Sequence, residues 1–309
     1  MEGISELPAA GNPAVTPHAR GRRVETLTRV CTDDLLAAFG LGGLRGPPRT
    51  ILEAAFRPPA RWLAGQVATY DEIVGRSGLA AGGAWALQRM ARRVVVEGIE
   101  NIPREGPLLV VSNHPGLADA VALFTVLPRP ELRVVAAGRN FLSELPNTAR
   151  ALIPVSDGPN ERVAAVRIAA RHLKRGGVVL TFPAGRIEPD PAVLPGAAQA
   201  LEAWSESVDL FARLVPGLTI VPAVVSGVLS RAALRNPLVY VRRSQRDREW
   251  LAATLQMLVP VLRNVTTRVQ FGEPIRAERS EQVSRVVVHR TRRMIEALED
   301  RDPRGRNKP

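Results

Sequence analysis

Between residues 93 and 275, short apolar runs alternate with helix-like segments, and this alternation restricts the fold more than any other feature. The runs with the length and residue types of strands are 94–96, 108–112, 132–136, 152–155, 178–182, 219–225, 238–241 and 267–271. The helix-like segments are 118–126, 161–174, 195–208 and 246–262. Strands that alternate with helices form α/β domains, because a helix is the usual crossover between parallel strands. We therefore expect a mixed, largely parallel sheet flanked by helices, with a small N-terminal helical appendage.

One strand-like run contains a proline. Pro222 lies inside the apolar run 219–225. Because proline cannot donate a hydrogen bond to a neighbouring strand, we expect this run to form an edge strand or to contain a bulge.

The sequence outside the α/β segment, which spans 93–275, divides into three parts. Residues 1–25 are rich in proline, glycine and alanine without periodicity, so we expect them to be disordered. Residues 26–92 have helical periodicity, with breaks expected at glycines and at proline pairs such as 58–59. We interpret them as a helical appendage that could dock on a membrane. Residues 276–309 should form a C-terminal helix and a basic tail.

The chain is strongly basic. It has 42 lysine and arginine residues against 30 acidic residues, a net charge of +12, and only Lys174 and Lys308 are lysines. An arginine-rich surface favours phosphates and anionic bilayers. Nucleic acid is an alternative partner, but the four Trp, two Tyr and seven Phe residues are not interleaved with basic residues as in a base-stacking surface. We therefore expect no nucleic-acid partner.

The cysteine count and the hydropathy pattern restrict where in the cell we expect the protein. Cys31 is the only cysteine, which excludes an intrachain disulfide and a four-cysteine zinc site. The N-terminal residues lack the apolar core of a signal peptide, and no run of about 18 apolar residues could span a bilayer. We expect no metal site and a peripheral protein at the cytoplasmic face of the membrane.

The run Val110 to Ala120, VVSNHPGLADA, carries the clearest chemical signal. His114 follows a strand-like run, where open α/β sheets place their functional groups. Asp119, in the first turn of the next helix, could bind one ring nitrogen and leave the other to accept a proton. A histidine that is only structural is the alternative for such a pair taken alone.

A second polar turn, Thr181 to Arg186, follows the strand-like run 178–182. Gly185 would let the backbone approach a ligand, and its amide could stabilise an oxyanion. Arg186 could bind a phosphate or carboxylate through two hydrogen bonds. The alternative is an ordinary β-turn with a solvated arginine.

The segments NHPGLAD, AAGRNFLSELP, FPAGRI and IVPAVV, in this order, resemble the four blocks of the glycerolipid acyltransferase family. That family contains the lysophosphatidic acid and glycerol-3-phosphate acyltransferases. The similarity spans about residues 94–275, and its most specific element is the NHx4D box of Asn113, His114 and Asp119.

The resemblance implies an O-acyltransferase in which His114, oriented by Asp119, takes the proton of an acceptor hydroxyl as that oxygen attacks an acyl thioester. The donor would be acyl-CoA or acyl-carrier protein, with no cofactor. The acceptor would be a lyso-lipid or a glycerol phosphate, reached at an anionic membrane surface. The expected substrate-binding residues are Asn113, Arg139, Phe182, Pro183, Gly185 and Arg186. No Gly-x-Ser-x-Gly motif is present, which argues against an acyl-enzyme, and we expect Ser112 to be structural.

The chain departs from the family in its third block. Ala184 stands where the usual Phe-Pro-Glu-Gly-Thr-Arg has glutamate, and Arg186 directly follows Gly185. This variant resembles the lyso-ornithine-lipid and haemolysin-related branch, so the acceptor stays open. A non-catalytic lipid-binding protein that retains the fold is the alternative function.

Family members use N-terminal helices for membrane docking, and the corresponding residues here mix aromatic, apolar and guanidinium groups. They are Phe56, Arg57, Arg61, Trp62 and Leu63. The alternative is that the apolar residues of this region, Leu63, Val67 and Tyr70 above all, pack onto the core.

Overall fold

The computed structural model describes residues 17–137, 140–156, 158–276 and 282–301. The strands are β1 (Arg93–Glu97), β2 (Leu108–Ser112), β3 (Leu132–Ala137), β4 (Leu152–Val155), β5 (Val178–Thr181), β6 (Thr219–Ser226), β7 (Thr266–Phe271) and β8 (Ile275–Arg276). The helices are α1 (Pro17–Ala38), α2 (Pro47–Leu87), α3 (Leu117–Val126), α4 (Asn140–Ser143), α5 (Pro146–Ala149), α6 (Pro159–Lys174), α7 (Ala197–Ala200), α8 (Ser207–Leu214), α9 (Arg231–Leu234), α10 (Gln245–Leu258) and α11 (Val283–Arg301). Short 3-10 turns are Ile99–Asn101, Leu201–Ala203, Pro237–Val241 and Pro260–Arg263.

The strands form one sheet in the order β1-β7-β6-β2-β5-β3-β4, and β8 pairs with β6. Only the β6–β7 and β6–β8 pairs are antiparallel; the other neighbours run parallel. The expected mixed, largely parallel sheet is confirmed.

The central strand β2 is buried on both faces. Leu108 and Val110 point into one core, with side chains from α2 and α3, whereas Leu109 and Val111 point into the other, with side chains from α6, α8 and α11. Because side chains alternate along a strand, a continuous apolar run serves both layers. The carboxyl end of β2 therefore emerges between two packed helical layers.

The N-terminal helices α1 and α2 pack on each other and on Leu145 and α10. Helix α1 begins at Pro17, so residues 17–25 are helical and the expectation of disorder was wrong for them. Residues 1–16 lie outside the described residues. Helix α2 continues through Pro58 and Pro59 because its apolar face is held against α1, and it breaks instead at Gly78, where φ is 85°.

Strand β6 lies in the interior of the sheet, so the expectation of an edge strand at Pro222 was wrong. The antiparallel neighbour of β6 is β8 at Thr219 and Ile220 and β7 from Ala223 onward. The carbonyl of Pro222 accepts the Gly272 amide at 2.8 Å, so its backbone faces the junction between β7 and β8. Because residue 222 faces the gap between β7 and β8, neither strand has a carbonyl that depends on a hydrogen bond from the N–H that proline lacks.

Three other predicted elements differ from the structure. The predicted helix 246–262 ends at Leu258, and the 3-10 turn Pro260–Arg263 follows it. The run 238–241 is part of a 3-10 turn, in which Asn236 caps the Leu238 amide at 3.0 Å. The predicted helix 195–208 is divided, because the chain turns at Trp204 between Leu201–Ala203 and α8. The C-terminal helix is present as α11, and residues 302–309 lie outside the described part of the chain.

Among the described helices, none combines the length and the hydrophobicity needed to cross a bilayer.

Candidate active site

The site lies at the carboxyl ends of three adjacent parallel strands, β5, β2 and β6. Because parallel strands end at the same edge of a sheet, the segments that follow them meet there. These segments are 113–116, 182–190 and 227–230. The geometry brings together two of the polar turns that the sequence separates by about seventy residues.

His114 and Asp119 form the expected pair. The Nδ1 atom of His114 lies 2.9 Å from Oδ2 of Asp119. The Asp119 side chain is fully buried, whereas 26% of the His114 side chain is exposed. A buried carboxylate on Nδ1 holds the proton there, so that the lone pair of the neutral ring is on Nε2. The imidazole is thus set up to accept a proton on its outer nitrogen.

Asp119 also accepts hydrogen bonds from the first turn of α3. The amide of Gly116 donates to Oδ2 at 2.9 Å, and the amide of Ala120 donates to Oδ1. Both amides belong to the positive end of the helix, which favours the ionised carboxylate. Three N–H groups therefore hold Asp119 in one orientation.

Phe182 fixes the plane of the imidazole. Its ring stacks on that of His114, with centroids 4.5 Å apart and an interplanar angle of 29°. The sequence predicts that Phe182 contacts the substrate, and the contact that the structure gives is with the His114 ring. This stacking covers one face of the imidazole and restricts its rotation.

The side chain of Asn113 holds the backbone at the carboxyl ends of β2 and β6. It is buried, its Nδ2 donates to the Val225 carbonyl at 2.9 Å, and its Oδ1 accepts the Val225 amide at 2.8 Å. These two bonds tie the end of β2 to β6. Substrate binding by Asn113 stays a prediction, and the contacts of its side chain with the described residues are these two bonds to Val225.

The turn after β5 differs from the expectation at Gly185. Gly185 has a φ of 62°, which glycine adopts without strain. Its amide donates to the Phe182 carbonyl at 3.0 Å and closes the turn. The oxyanion role expected for this amide was wrong, because the hydrogen is already donated.

The remaining predicted residues have different positions. Arg186 is exposed at the tip of the turn and forms no hydrogen bond or ion pair with the described residues. Pro183 is buried, and its carbonyl accepts the Ser205 amide at 3.2 Å. Pro183 therefore shapes the turn. Arg139 lies outside the described residues.

Glu188 is a buried carboxylate that sequence reasoning missed. It is 5% exposed, its Oε2 accepts the His114 amide at 2.9 Å, and its Oε1 accepts the indole N–H of Trp204 at 2.8 Å. Burial raises the pKa of the Glu188 carboxyl. The one sequence signal was a carboxylate four residues after Ala184, directly after the segment FPAGRI.

Asp190, also missed, anchors the loop after β6. It is fully buried and accepts the amides of Gly227, Val228 and Leu229 at 2.8–3.0 Å. Gln256 of α10 holds the same loop through the Val228 carbonyl, at 2.9 Å. The third segment of the site is thus fixed against the second.

An apolar crevice of about 50 Å³ adjoins the first segment of the site. It is lined by Met90, Pro115, Gly116, Ala118, Val228, Leu229, Ala253, Gln256 and Met257. A larger surface hollow, bounded in part by Ile99 and Pro128, does not include the His114–Asp119 pair. Pro115 and Gly116, which directly follow His114, line the crevice, and two flexible methionines border it.

Comparison with known proteins gives a matching family model and solved structures of similar fold. Residues 93–226 match the family model described as Acyltransferase. No curated protein matches the chain. Among solved structures, the fold is similar to that of the 1-acyl-sn-glycerophosphate (LPA) acyltransferase PlsC from Thermotoga maritima, with a TM-score of 0.42 and 19% identity over 91% of this chain and 96% of that one.

Proposed function

We propose that this chain, whose residues 93–226 match the family model described as Acyltransferase, transfers a fatty acyl group from a thioester to the hydroxyl of a lyso-lipid or glycerol-phosphate acceptor. The observation that carries this proposal is the 2.9 Å contact between His114 and a fully buried Asp119 at the carboxyl edge of the sheet. The donor is acyl-CoA or acyl-carrier protein.

In the proposed reaction, Nε2 of His114 takes the proton of the acceptor hydroxyl as its oxygen attacks the thioester carbonyl carbon. The C–O bond forms, the C–S bond breaks, and the leaving thiolate takes the proton back from the imidazolium. Asp119 stabilises the imidazolium in between. The acyl group passes directly to the acceptor, since Ser112, the serine nearest in sequence, is fully buried and donates to the Asn113 carbonyl at 3.0 Å.

The function is tested by incubating purified protein with radiolabelled palmitoyl-CoA or palmitoyl-acyl-carrier protein and, in turn, lysophosphatidate, glycerol 3-phosphate and a lyso-aminolipid. We expect labelled ester with at least one of these acceptors. Thioester consumption without ester, or no consumption with any donor, would remove the proposal.

We predict that Arg186 recognises the anionic part of the acceptor. Arg186→Ala should raise the acceptor KM by about tenfold or more, the value of one lost charge-assisted hydrogen bond, and change the donor KM little. Steady-state kinetics with each substrate varied in turn measure both constants. Arg171→Ala, an exposed arginine of α6, is the matched control. An equal rise in both KM values would exclude this role for Arg186.

We further propose that the protein docks on an anionic bilayer through a docking patch formed by Trp62, Val259 and Val261. These side chains are 45%, 37% and 78% exposed. The guanidinium of Arg263 lies 5.5 Å from the Trp62 ring centroid, so α2 and the turn Pro260–Arg263 are neighbours. Exposed apolar side chains beside guanidinium groups match an anionic bilayer surface.

The docking patch continues toward the crevice, because Met257, two residues before Val259, lines it. The N-terminal helices contribute fewer exposed side chains to the docking patch than the sequence predicts. Leu63 is buried, Phe56 packs edge-on against Phe39 with centroids 5.3 Å apart, and Arg57 pairs with Glu25. Of the expected docking residues, Arg61 and Trp62 are exposed, and the Trp62 ring lies beside the Arg263 guanidinium.

The docking patch gives a prediction for vesicle binding. The double variant Trp62→Ala/Val261→Ala should bind phosphatidylglycerol-containing vesicles about tenfold more weakly, because it exposes less apolar area to the lipid. Cosedimentation measures the partition coefficient. Val163→Ala/Ile168→Ala is the control, since these α6 side chains are 49% and 48% exposed. Equal losses in the two pairs would show that the docking patch has no special role.

A further inference from the structure

Glu188 connects the loop after β5 to the peptide backbone of His114 on both sides. The His114 amide donates to Oε2 of Glu188 at 2.9 Å, and the Glu188 amide donates to the His114 carbonyl at 2.8 Å. These two bonds join residues that lie 74 positions apart in the chain. The main chain of His114 is therefore held in place by Glu188, while its side chain is held by Asp119.

The second carboxylate oxygen of Glu188 is anchored in the core. Oε1 accepts the indole N–H of Trp204 at 2.8 Å, and Trp204 packs in the core beneath α8 and α11. Each oxygen thus receives an N–H group from a different part of the fold. A carboxylate can accept on both oxygens, whereas an amide has one accepting oxygen and one donating nitrogen.

A buried carboxylate is costly unless its partners compensate for the lost hydration. An apolar residue at position 188 would avoid this cost but would leave the N–H groups of His114 and Trp204 unpaired. The carboxylate at position 188 is therefore explained by the two N–H groups whose hydrogen bonds it accepts, those of His114 and Trp204.

Glu188 also couples two parts of the proposed site. Arg186 lies two residues earlier in the same loop, and Phe182, which stacks on the imidazole, begins that loop. The two hydrogen bonds between Glu188 and the main chain of His114 set the distance between the imidazole and the turn that carries Arg186. Movement of Glu188 would displace the imidazole relative to that turn.

We infer that Glu188 is a positioning residue for acyl transfer, which fixes the His114 main chain relative to the Arg186 turn by accepting the His114 and Trp204 N–H groups on its two oxygens. This inference rests on the proposed function. The role depends on two accepting oxygens and not on negative charge alone.

The test is a double-mutant cycle of Glu188→Gln and Trp204→Phe. In Glu188→Gln, the new NH2 group must face either the His114 amide or the Trp204 indole N–H. Two N–H donors then meet without an acceptor, and one hydrogen bond is lost. Kcat should fall by about tenfold to a hundredfold, the effect of a small misplacement of a catalytic group. The acceptor KM should rise more than the donor KM.

Trp204→Phe removes the competing donor while leaving the Glu188–His114 bonds in place, so its loss of kcat should be smaller. The double variant should recover most of the activity that Glu188→Gln loses, since the amide oxygen can then turn to His114. Asp209→Asn is the matched control: Asp209 accepts the Ser284 amide and hydroxyl with its two oxygens, away from the site, and its replacement should leave kcat unchanged.

Hydrogen exchange of the His114 amide separates this inference from the proposed function, because it needs no substrate. Exchange should be faster in Glu188→Gln than in the wild type and slower again in the double variant. Unchanged exchange and kcat in Glu188→Gln, or a double variant no better than the single one, would overturn the positioning role. Thermal unfolding checks that each variant folds; if Glu188→Gln does not, Glu188→Asp, whose shorter side chain should still speed His114 amide exchange, replaces it. A wild-type protein without transferase activity would contradict the proposed function instead.

Discussion

Replacing His114 with alanine should lower kcat for acyl transfer by about 10³-fold, within the range that general-base catalysis supplies. The variant loses the group that takes the acceptor proton, so the hydroxyl must attack the thioester without deprotonation. Only 26% of the His114 side chain is exposed, and the Asn113–Val225 and Glu188 contacts hold the surrounding backbone. The fold should therefore survive, as circular dichroism and thermal unfolding can verify.

The measurement is ester formation from radiolabelled palmitoyl-CoA with the acceptor that the wild type uses. His289→Ala, an exposed histidine on α11, is the control and should retain wild-type kcat. The alternative function, a lipid-binding protein that keeps the fold, makes the opposite prediction: the wild type binds lipid but turns over no thioester. A His114→Ala variant with wild-type kcat would exclude a general base at this position.

Replacing Asp119 with asparagine should lower kcat by about 10² to 10³-fold while the acceptor KM changes little. Oδ2 of Asp119 accepts the Nδ1 proton of His114 at 2.9 Å and the Gly116 amide at 2.9 Å, and Oδ1 accepts the Ala120 amide. When the new NH2 group takes the place of Oδ2, it donates to Nδ1 and loses the Gly116 amide as a partner, while the remaining oxygen still accepts the Ala120 amide. The imidazole proton then moves to Nε2, which can no longer accept the acceptor proton.

A helix also loses a first-turn negative charge in this variant, so the control should lose one without touching a histidine. Asp247→Asn serves this purpose, because Asp247 lies in the first turn of α10. The variant should lose the ion pair between Asp247 and Arg242, which are 3.0 Å apart, and its kcat should not change. If Asp119→Asn has wild-type kcat, the carboxylate does not control the protonation of His114.

The strand and helix pattern was predictable where it depends on local sequence. The runs that became β2, β5 and β6 are continuously apolar because both faces of these strands are covered, and this length and composition are visible in a sequence. The run 238–241 shows the limit of the same argument. It is apolar and short, but Pro237 and the Asn236 cap close it into a 3-10 turn with Tyr240 and Val241 exposed.

The positions of Pro222 and Pro58–Pro59 could not be predicted because proline has opposite effects in different surroundings. Pro222 is accommodated at the junction between two antiparallel partners of β6, and the order of the strands is not written in any local pattern. Pro58 and Pro59 remain within α2 because the helix packs against α1. In both cases a contact between distant segments outweighs the local preference.

By itself, the sequence determined the α/β class, the helical appendage and the contact between His114 and Asp119, because a separation of five residues lets one helical turn bring the carboxylate back to the ring. The tertiary structure decided the rest of the site. It directs Asn113 into a backbone contact 112 residues away, uses the Gly185 amide to close a turn, and buries Glu188 against His114. The physical reason is that hydrogen-bond partners and burial at a sheet edge depend on which strands become neighbours, and that choice is made by the packing of the whole chain.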